Sequence, residues 1–283
     1  FQDGRDYGVD MRYYIEKTPL STAGSVKNAE EFLDATFIVI SGDALTDIDL
    51  GKAIDFHNKK GSLATLVLKK VDIPLEYGVV VTDKDGYITR FLEKPSWGEV
   101  FSDTVNTGIY ILSPEVLSYF KKGEIFDFSK DLFPMLLKDK RPMYGYITED
   151  YWCDIGDLKA YHQAHTDVLD GKVKVSIPGK MFRDKVWVEE GAEFDDSVII
   201  EGPCIIGKNT RIKSGSVIGK YTVLGESNIV DARSGIKRSI TWKNCIFDSN
   251  VQLRGTIICD KVHLRDGVST FENSVIGEDT VVR

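Results

Sequence analysis

The sequence predicts an α/β domain built on a mostly parallel sheet, followed by a left-handed parallel β-helix. Three observations carry this expectation. Phe37-Ile38-Val39-Ile40 is a short unbroken apolar run, rich in β-branched residues, that reads as a buried parallel strand. Segments of strand and helix character alternate through the first part of the chain. From Val188 onward an apolar residue returns every six positions, the hexapeptide signature of a parallel β-helix. The expected domains are residues 1–175 and 176–283.

Taken in order, Val9–Ile15 alternates and predicts a strand. Pro19, Ser21 and Thr22 suit a helix start, and the small residues Ala23, Gly24 and Ser25 would let a flat ligand approach the backbone closely. The Phe37–Ile40 strand ends in Ser41-Gly42-Asp43. Ligands of open α/β sheets bind outside the carboxyl ends of the strands, so Asp43 stands where a functional carboxylate is expected, with Asp47 and Asp49 close behind. The alternative is an Asp that caps the next helix.

Leu50–Lys60 predicts an amphipathic helix and Ala64–Leu68 a buried strand. Tyr77–Val81 and Ile88–Phe91 flank Asp83-Lys84-Asp85-Gly86, a hairpin signal. Glu93-Lys94-Pro95 follows, a charged pair at a strand end that could grip a polyol and its phosphate, or form a surface ion pair of little worth. Asn106–Leu112 predicts a strand entered from a polar turn, and Phe128–Leu137 a helix. Tyr144 and Tyr146 alternate on a strand and pack. Asp154 is a second acid beside aromatic bulk, before a helix over Leu158–Val168. His162 and His165 lie three apart on that helix, a spacing that permits a shared metal. Without a third ligand they read as a solvated helix face.

In the second part the apolar row runs Val188, Phe194, Ile200, Ile206, Ile212, Ile218, Leu224, Val230 and Ile236, with a second, mostly small row two places earlier. The phase slips once near Ile236–Ile240. It is expected to resume as Ile240, Ile246, Gln252, Ile258, Leu264, Thr270, Ile276 and Val282, with Asn244, Asn250 and Thr256 in the second row.

Composition narrows the function. Of 283 residues, 42% are hydrophobic and 28% charged, which fits a globular chain. The net charge of −8 argues against a nucleic-acid surface, which needs a basic stripe. No apolar run approaches a membrane span. The four cysteines show neither CxxC pairing nor zinc-finger spacing, so free thiols in a reducing cytoplasm are expected. Both ends look cut, the second in mid-repeat, and a longer protein is expected.

The motifs add up to a resemblance. The first domain resembles the sugar-nucleotide pyrophosphorylases (nucleotidyltransferases), nearest to mannose-1-phosphate guanylyltransferases. Pro19-Leu20-Ser21-Thr22-Ala23-Gly24 is similar to the family's base-binding loop, with Ser21 where the family has glycine. Ser41-Gly42-Asp43 and Trp152-Cys153-Asp154-Ile155-Gly156 resemble its two metal-binding segments. Glu93-Lys94-Pro95, Asn106-Thr107-Gly108 and Tyr77-Gly78 resemble its sugar-phosphate and sugar contacts. Pro95-Ser96-Trp97-Gly98-Glu99-Val100-Phe101-Ser102-Asp103 resembles long bacterial forms in which a phosphohexomutase domain follows the β-helix. The family's glycine-rich triphosphate loop is not in this sequence, and about two βαβ units of roughly 30 residues each would precede Phe1.

The resemblance implies a Rossmann-like, glycosyltransferase-A-like sheet and nucleotidyl transfer from a nucleoside triphosphate to a hexose 1-phosphate, giving NDP-sugar and pyrophosphate. It favours GTP and mannose 1-phosphate, with glucose-1-phosphate adenylyl-, uridylyl- or thymidylyltransferase as alternatives. It implies Mg²⁺ on Asp43 and Asp154, and Lys94 on the sugar phosphate. Glu93, Asn106, Thr107 and Gly78 would surround the sugar, and Thr22, Ala23 and Gly24 the base. A cytoplasmic homo-oligomer through the β-helix is expected, with no membrane or nucleic-acid partner. Two rival readings remain at this point. One is an inactive sugar-nucleotide-binding regulatory subunit. The other is an acyltransferase, as many hexapeptide solenoids are, but His263 is the only histidine in the coils.

Overall fold

The computed structural model describes every residue except Trp97, so the part of the Pro95–Asp103 resemblance that falls on Trp97 lies outside the described residues. The chain forms two compact units, Phe1–Trp152 and Cys153–Arg283. No helix among the described residues is long and apolar enough to cross a membrane.

In the first unit, helix α1 (Ser21–Lys27) precedes strands β1 (Phe37–Val39) and β2 (Ala44–Thr46). Helix α2 (Leu50–Lys60) follows, then β3 (Ala64–Lys70), the hairpin β4 (Gly78–Thr82) and β5 (Ile88–Glu93), and the long β6 (Thr104–Leu112). Helix α3 (Phe133–Lys138) leads to β7 (Met143–Ile147), and β8 (Trp152–Asp154) begins at the last residue of this unit and ends in the second. The main sheet runs β5-β4-β6-β3-β7, with β1 also on β6.

The sheet is mixed. β3 and β7 pair in parallel, while β1–β6, β3–β6, β4–β6 and β4–β5 are antiparallel. This departs from the mostly parallel ladder expected, because β6 reverses direction and lies between β1 and β3. β1 is accordingly not a buried parallel strand. Only Phe37 is buried, and Ile40 is 47% exposed. Val9–Ile15 is not a strand either. It pairs with nothing in the sheet, and Ile15 is 92% exposed, so its alternation has no core to face.

Side-chain alternation builds two cores on the two faces of the sheet. Leu66, Leu68, Tyr110 and Leu112 face Phe128, Leu132 and Phe133. Val67, Ile109 and Ile111 face Ala53 of α2, with Leu50, Ile54 and Tyr146 packed against them. Asp49 starts α2, accepting from Lys52 N at 3.2 Å, and Gly61 ends it at φ 56°.

In the second unit, helix α4 (Leu158–Asp170) is capped by Asp157 and lies on the coils. Tyr221 donates from its hydroxyl to Asp170 at 3.1 Å, and Trp242 Nε1 donates to Tyr161 Oη at 3.1 Å. His162 and His165 therefore do not form a solvated face. Both are half-buried, and burial, with His162 nearby, pushes His165 down to about 4.

The coils stack in parallel. Early partners lie 18 residues apart, as Val186 with Cys204 and Ile212 with Val230. From Leu224–Thr241 to Phe247–Leu264 the step is 17, and from Ile258–Ile276 it is 18 again. Two hexapeptides are thus one residue short, between Ile236 and Thr241 and between Leu253 and Ile258. The expectation of a single slip put the intervening rows one residue out. The inward residues are Thr241, Phe247 and Leu253 with Cys245 and Val251, not Ile246, Gln252, Asn244 and Asn250. Ile246 points outward, and Asn244 and Asn250 hold left-handed corners at φ 59° and 62°. Ile240 is buried as well, but on the outer face, where it lines a cavity with α4.

Candidate functional site

The polar residues of the first unit gather where strands end. Asp43 sits on the exposed turn after β1 and accepts a hydrogen bond from Ser41 Oγ. Its neighbours are committed elsewhere. Asp47 accepts from Tyr151 N at 2.8 Å, and Asp49 is the cap of α2. The capping alternative raised for this stretch thus belongs to Asp49, which leaves Asp43 as the carboxylate at the strand end.

β6 brings a second turn to this place. Leu66 pairs with Tyr110 and Leu68 with Asn106, so Thr107–Ile109 bulge opposite Val67. Thr107 Oγ1 holds the bulge by donating to Val67 O at 2.9 Å. Gly108 takes φ 78°, and a Cβ there would stand 3.7 Å from Ser41 Cβ, so the bulge abuts the Asp43 turn. Asn106 Oδ1 accepts from Gly108 N at 3.1 Å, while its Nδ2 donates to Tyr110 Oη at 2.9 Å and Ser129 Oγ at 3.3 Å.

Glu93 ends β5 opposite Gly78. Its Oε2 is buried and has no hydrogen-bond partner among the described residues. Burial pushes its carboxyl above the usual range, against the pull of Lys94 and Ser129. A Cβ at Gly78 would come within 2.7 Å of that same oxygen, so only glycine lets the carboxylate lie this close to β4. Lys94 follows at φ 46°, a left-handed conformation rare for a side-chain-bearing residue, with its N–H on Tyr77 O at 3.2 Å.

Asp127 ties the other side together, and sequence reasoning missed it. One of its oxygens accepts from Ser129 N and Lys130 N, starting the helical turn of Phe128–Leu132. The other accepts from Ser21 Oγ and Thr22 Oγ1, both at 2.9 Å. Burial works against its charge, yet the bonds from Lys130 N, the Ser21 and Thr22 hydroxyls and Ser129 N outweigh it and hold the carboxyl below the usual range. The signal was present, since an Asp directly before the predicted Phe128 helix is an N-cap pattern. Ser21 adopts φ 62°, which explains why a glycine suits this position. Ala23 and Gly24 are buried, and both N–H groups donate to Phe126 O. In this structure their smallness admits the 124–126 segment, since a Cβ on Gly24 would meet Glu124 O at 2.5 Å.

Asp154 closes β8 in the second unit, half-buried, with the space for a Cβ on Gly156 lying 3.5 Å from its Oδ2. Among the described residues no three His, Cys, Asp or Glu side chains converge on one metal position. Mg²⁺ is compatible with that, because it commonly takes one or two protein carboxylates and completes its shell with water and phosphate oxygens.

Comparison with known proteins accords with this arrangement. Residues 1–171 match the nucleotidyl transferase family, and residues 182–283 match the GMPPB C-terminal domain. A UTP–glucose-1-phosphate uridylyltransferase of Synechocystis is 38% identical over 86% of this chain and 67% of its own length. A mannose-1-phosphate guanyltransferase of Candida albicans is 30% identical over 93% of this chain and 74% of its own length. A Bacillus anthracis structure described as a glucose-1-phosphate thymidylyltransferase shares the fold at 22% identity, with a TM-score of 0.54 over 63% of this chain and 71% of that one. With its strand-end carboxylates, its buried Glu93 and its stacked coils, this chain belongs to the nucleotidyl transferase family.

Proposed function

We propose that the protein joins a nucleoside triphosphate to a hexose 1-phosphate, releasing pyrophosphate. The observation that carries this reading is Glu93. A buried carboxylate oxygen with no hydrogen-bond partner among the described residues, held against the backbone of Gly78, keeps an acceptor in reserve that would suit a hydroxyl of a polyol. Lys94, next in sequence and held in a left-handed conformation, would pair with the sugar phosphate. Asn106 and Thr107 would fix the bulge beside the sugar and Gly78 would let Glu93 lie close to β4, while Thr22, Ala23 and Gly24 would shape the nucleotide side, Ala23 and Gly24 from behind through the 124–126 segment and Thr22 braced by Asp127.

The attacking phosphate oxygen is already ionised, so no general base is needed, and the chain's task is positioning and charge neutralisation. Asp43 and Asp154 would hold a divalent ion, Mg²⁺ by the hardness of their oxygens. When bound, that ion neutralises charge on the phosphates. The domains involved are residues 1–175 for transfer and 176–283 for the β-helix, in a cytoplasmic protein that assembles through its coils.

The guanyltransferase relatives and the match to the GMPPB C-terminal domain favour GTP and mannose 1-phosphate. The uridylyltransferase relative favours UTP and glucose 1-phosphate as the second reading. Pyrophosphate release by the full-length protein, measured with four nucleoside triphosphates and two hexose 1-phosphates with and without Mg²⁺, separates them. Metal-dependent release with GTP and mannose 1-phosphate is expected. Silence on every pair, with sugar nucleotide still bound, would make the protein a regulatory subunit. Asp154→Ala should abolish turnover with the fold intact, and near-normal activity would remove Asp154 from the metal site.

A further inference from the structure

The second unit contains a cavity of about 470 Å³ that nucleotidyl transfer does not use. α4 supplies Lys159, His162, Gln163 and Thr166, which follow the i, i+3, i+4, i+7 spacing of a single helix face. The coils supply Tyr221, Arg238, Gly255 and Asn273. These four occupy the same corner of consecutive coils, each in the left-handed conformation, at φ 59°, 49°, 58° and 66°. Gly255 is the one position of that ladder without a side chain, and Glu272, also in the lining, packs into the space this leaves. A Cβ there would stand 3.0 Å from Glu272 Cγ.

The charged lining groups are Lys159, Arg238 and the Glu272 carboxylate, two cations against one anion in a chain of net charge −8. Arg238 is ion-paired with Glu272, and no ion pair of Lys159 is found among the described residues. The His162 Nε2 is buried without a hydrogen-bond partner among the described residues. Burial lowers both imidazoles, so at neutral pH each is uncharged and offers one donor and one acceptor. Nearby, Tyr221 is committed to Asp170, whose charge is also met by Lys172. Gln163 is committed as well, its Nε2 donating to Asp167 at 2.8 Å. The valences left are the Lys159 ammonium, the remaining Arg238 guanidinium donors and an orphan imidazole nitrogen. The volume lies within the range of small-metabolite sites.

We infer that this cavity is a second binding site, for a small phosphate- or carboxylate-bearing metabolite, separate from the transfer site and independent of the substrate assignment. The anion would sit between Lys159 and Arg238, and a hydroxyl or a further anion oxygen would satisfy His162 Nε2.

The chain has four histidines, His57, His162, His165 and His263, which makes the site readable by NMR of the imidazole signals in the whole protein. Inorganic phosphate and citrate are titrated separately at constant ionic strength. The expected result is a saturable shift of His162 and His165, with His57 and His263 unmoved. A response to phosphate alone identifies a phosphorylated ligand, and a response to citrate alone identifies a carboxylate. Lys159→Gln, at an exposed position, should keep the spectrum of the folded protein and weaken the response about tenfold, the loss of one charge-assisted contact. Arg238→Gln should do the same. No saturable shift with either anion, or a shift equally strong in both variants, would overturn the site.

Discussion

At Glu93 the fold keeps a carboxylate in a place that favours its neutral form. Burial raises its pKa, so its contribution to stability is complete below the ordinary carboxyl range and is lost as pH rises through the raised value. Glu93→Gln should therefore be more stable than the native protein at pH 7 by about 1 kcal/mol, with the difference shrinking toward pH 4. It should also lose turnover. Urea unfolding at the two pH values checks this, and a Gln variant no more stable at pH 7 would show that the site carries no such cost. His165 runs the other way. Its folded pKa lies near 4, below the unfolded value of 6.5, so its contribution is present above pH 6.5 and fades as pH falls toward 4. The loss should be about 2 kcal/mol, discounted for its partial exposure. Melting temperatures from pH 7 to 4 should fall less steeply in His165→Gln than in the native chain.

Among the elements, the coils give the sharpest test of register. Phe247 is fully buried in the solenoid core, whereas Ile246 points out of it. Phe247→Ala should cost about 3–5 kcal/mol and Ile246→Ala under about 1 kcal/mol. Denaturant midpoints of the two variants decide it, and the reverse order would restore a single slip. The sequence rows from Val188 to Ile236 were legible because six-residue spacing was unbroken. They failed over 240–252 because a hexapeptide can lose a residue at its corner while the coil above still supplies hydrogen-bond partners. A shift of one residue then turns each side chain to the other face. In the first unit, α2 was legible to the residue, since Asp49 and Gly61 mark its ends. The direction of β1 was not. An apolar run says a strand is buried on some face, but which neighbour it meets depends on β6, some seventy residues later.

For the molecule as a whole, each unit has its own core. Val186, Ile206, Leu224, Val230, Phe247 and Leu264 form one that lies entirely within the second unit. A protein consisting of residues 153–283 should therefore fold alone and unfold cooperatively, with strand-type circular dichroism. A chain without an unfolding transition would show that the coils depend on the first unit. The sequence by itself determined the two architectures, the coil period, the span of α2 and the candidate positions Asp43, Glu93, Lys94 and Asn106, because these rest on local spacing and residue chemistry. Only the tertiary structure decided the mixed sheet, the second short hexapeptide, the role of Asp127 and the cavity between α4 and the coils. These rest on contacts between residues far apart in the chain, such as Asp127 with Thr22 and Asp170 with Tyr221, and the spacing of neighbouring residues carries no record of them.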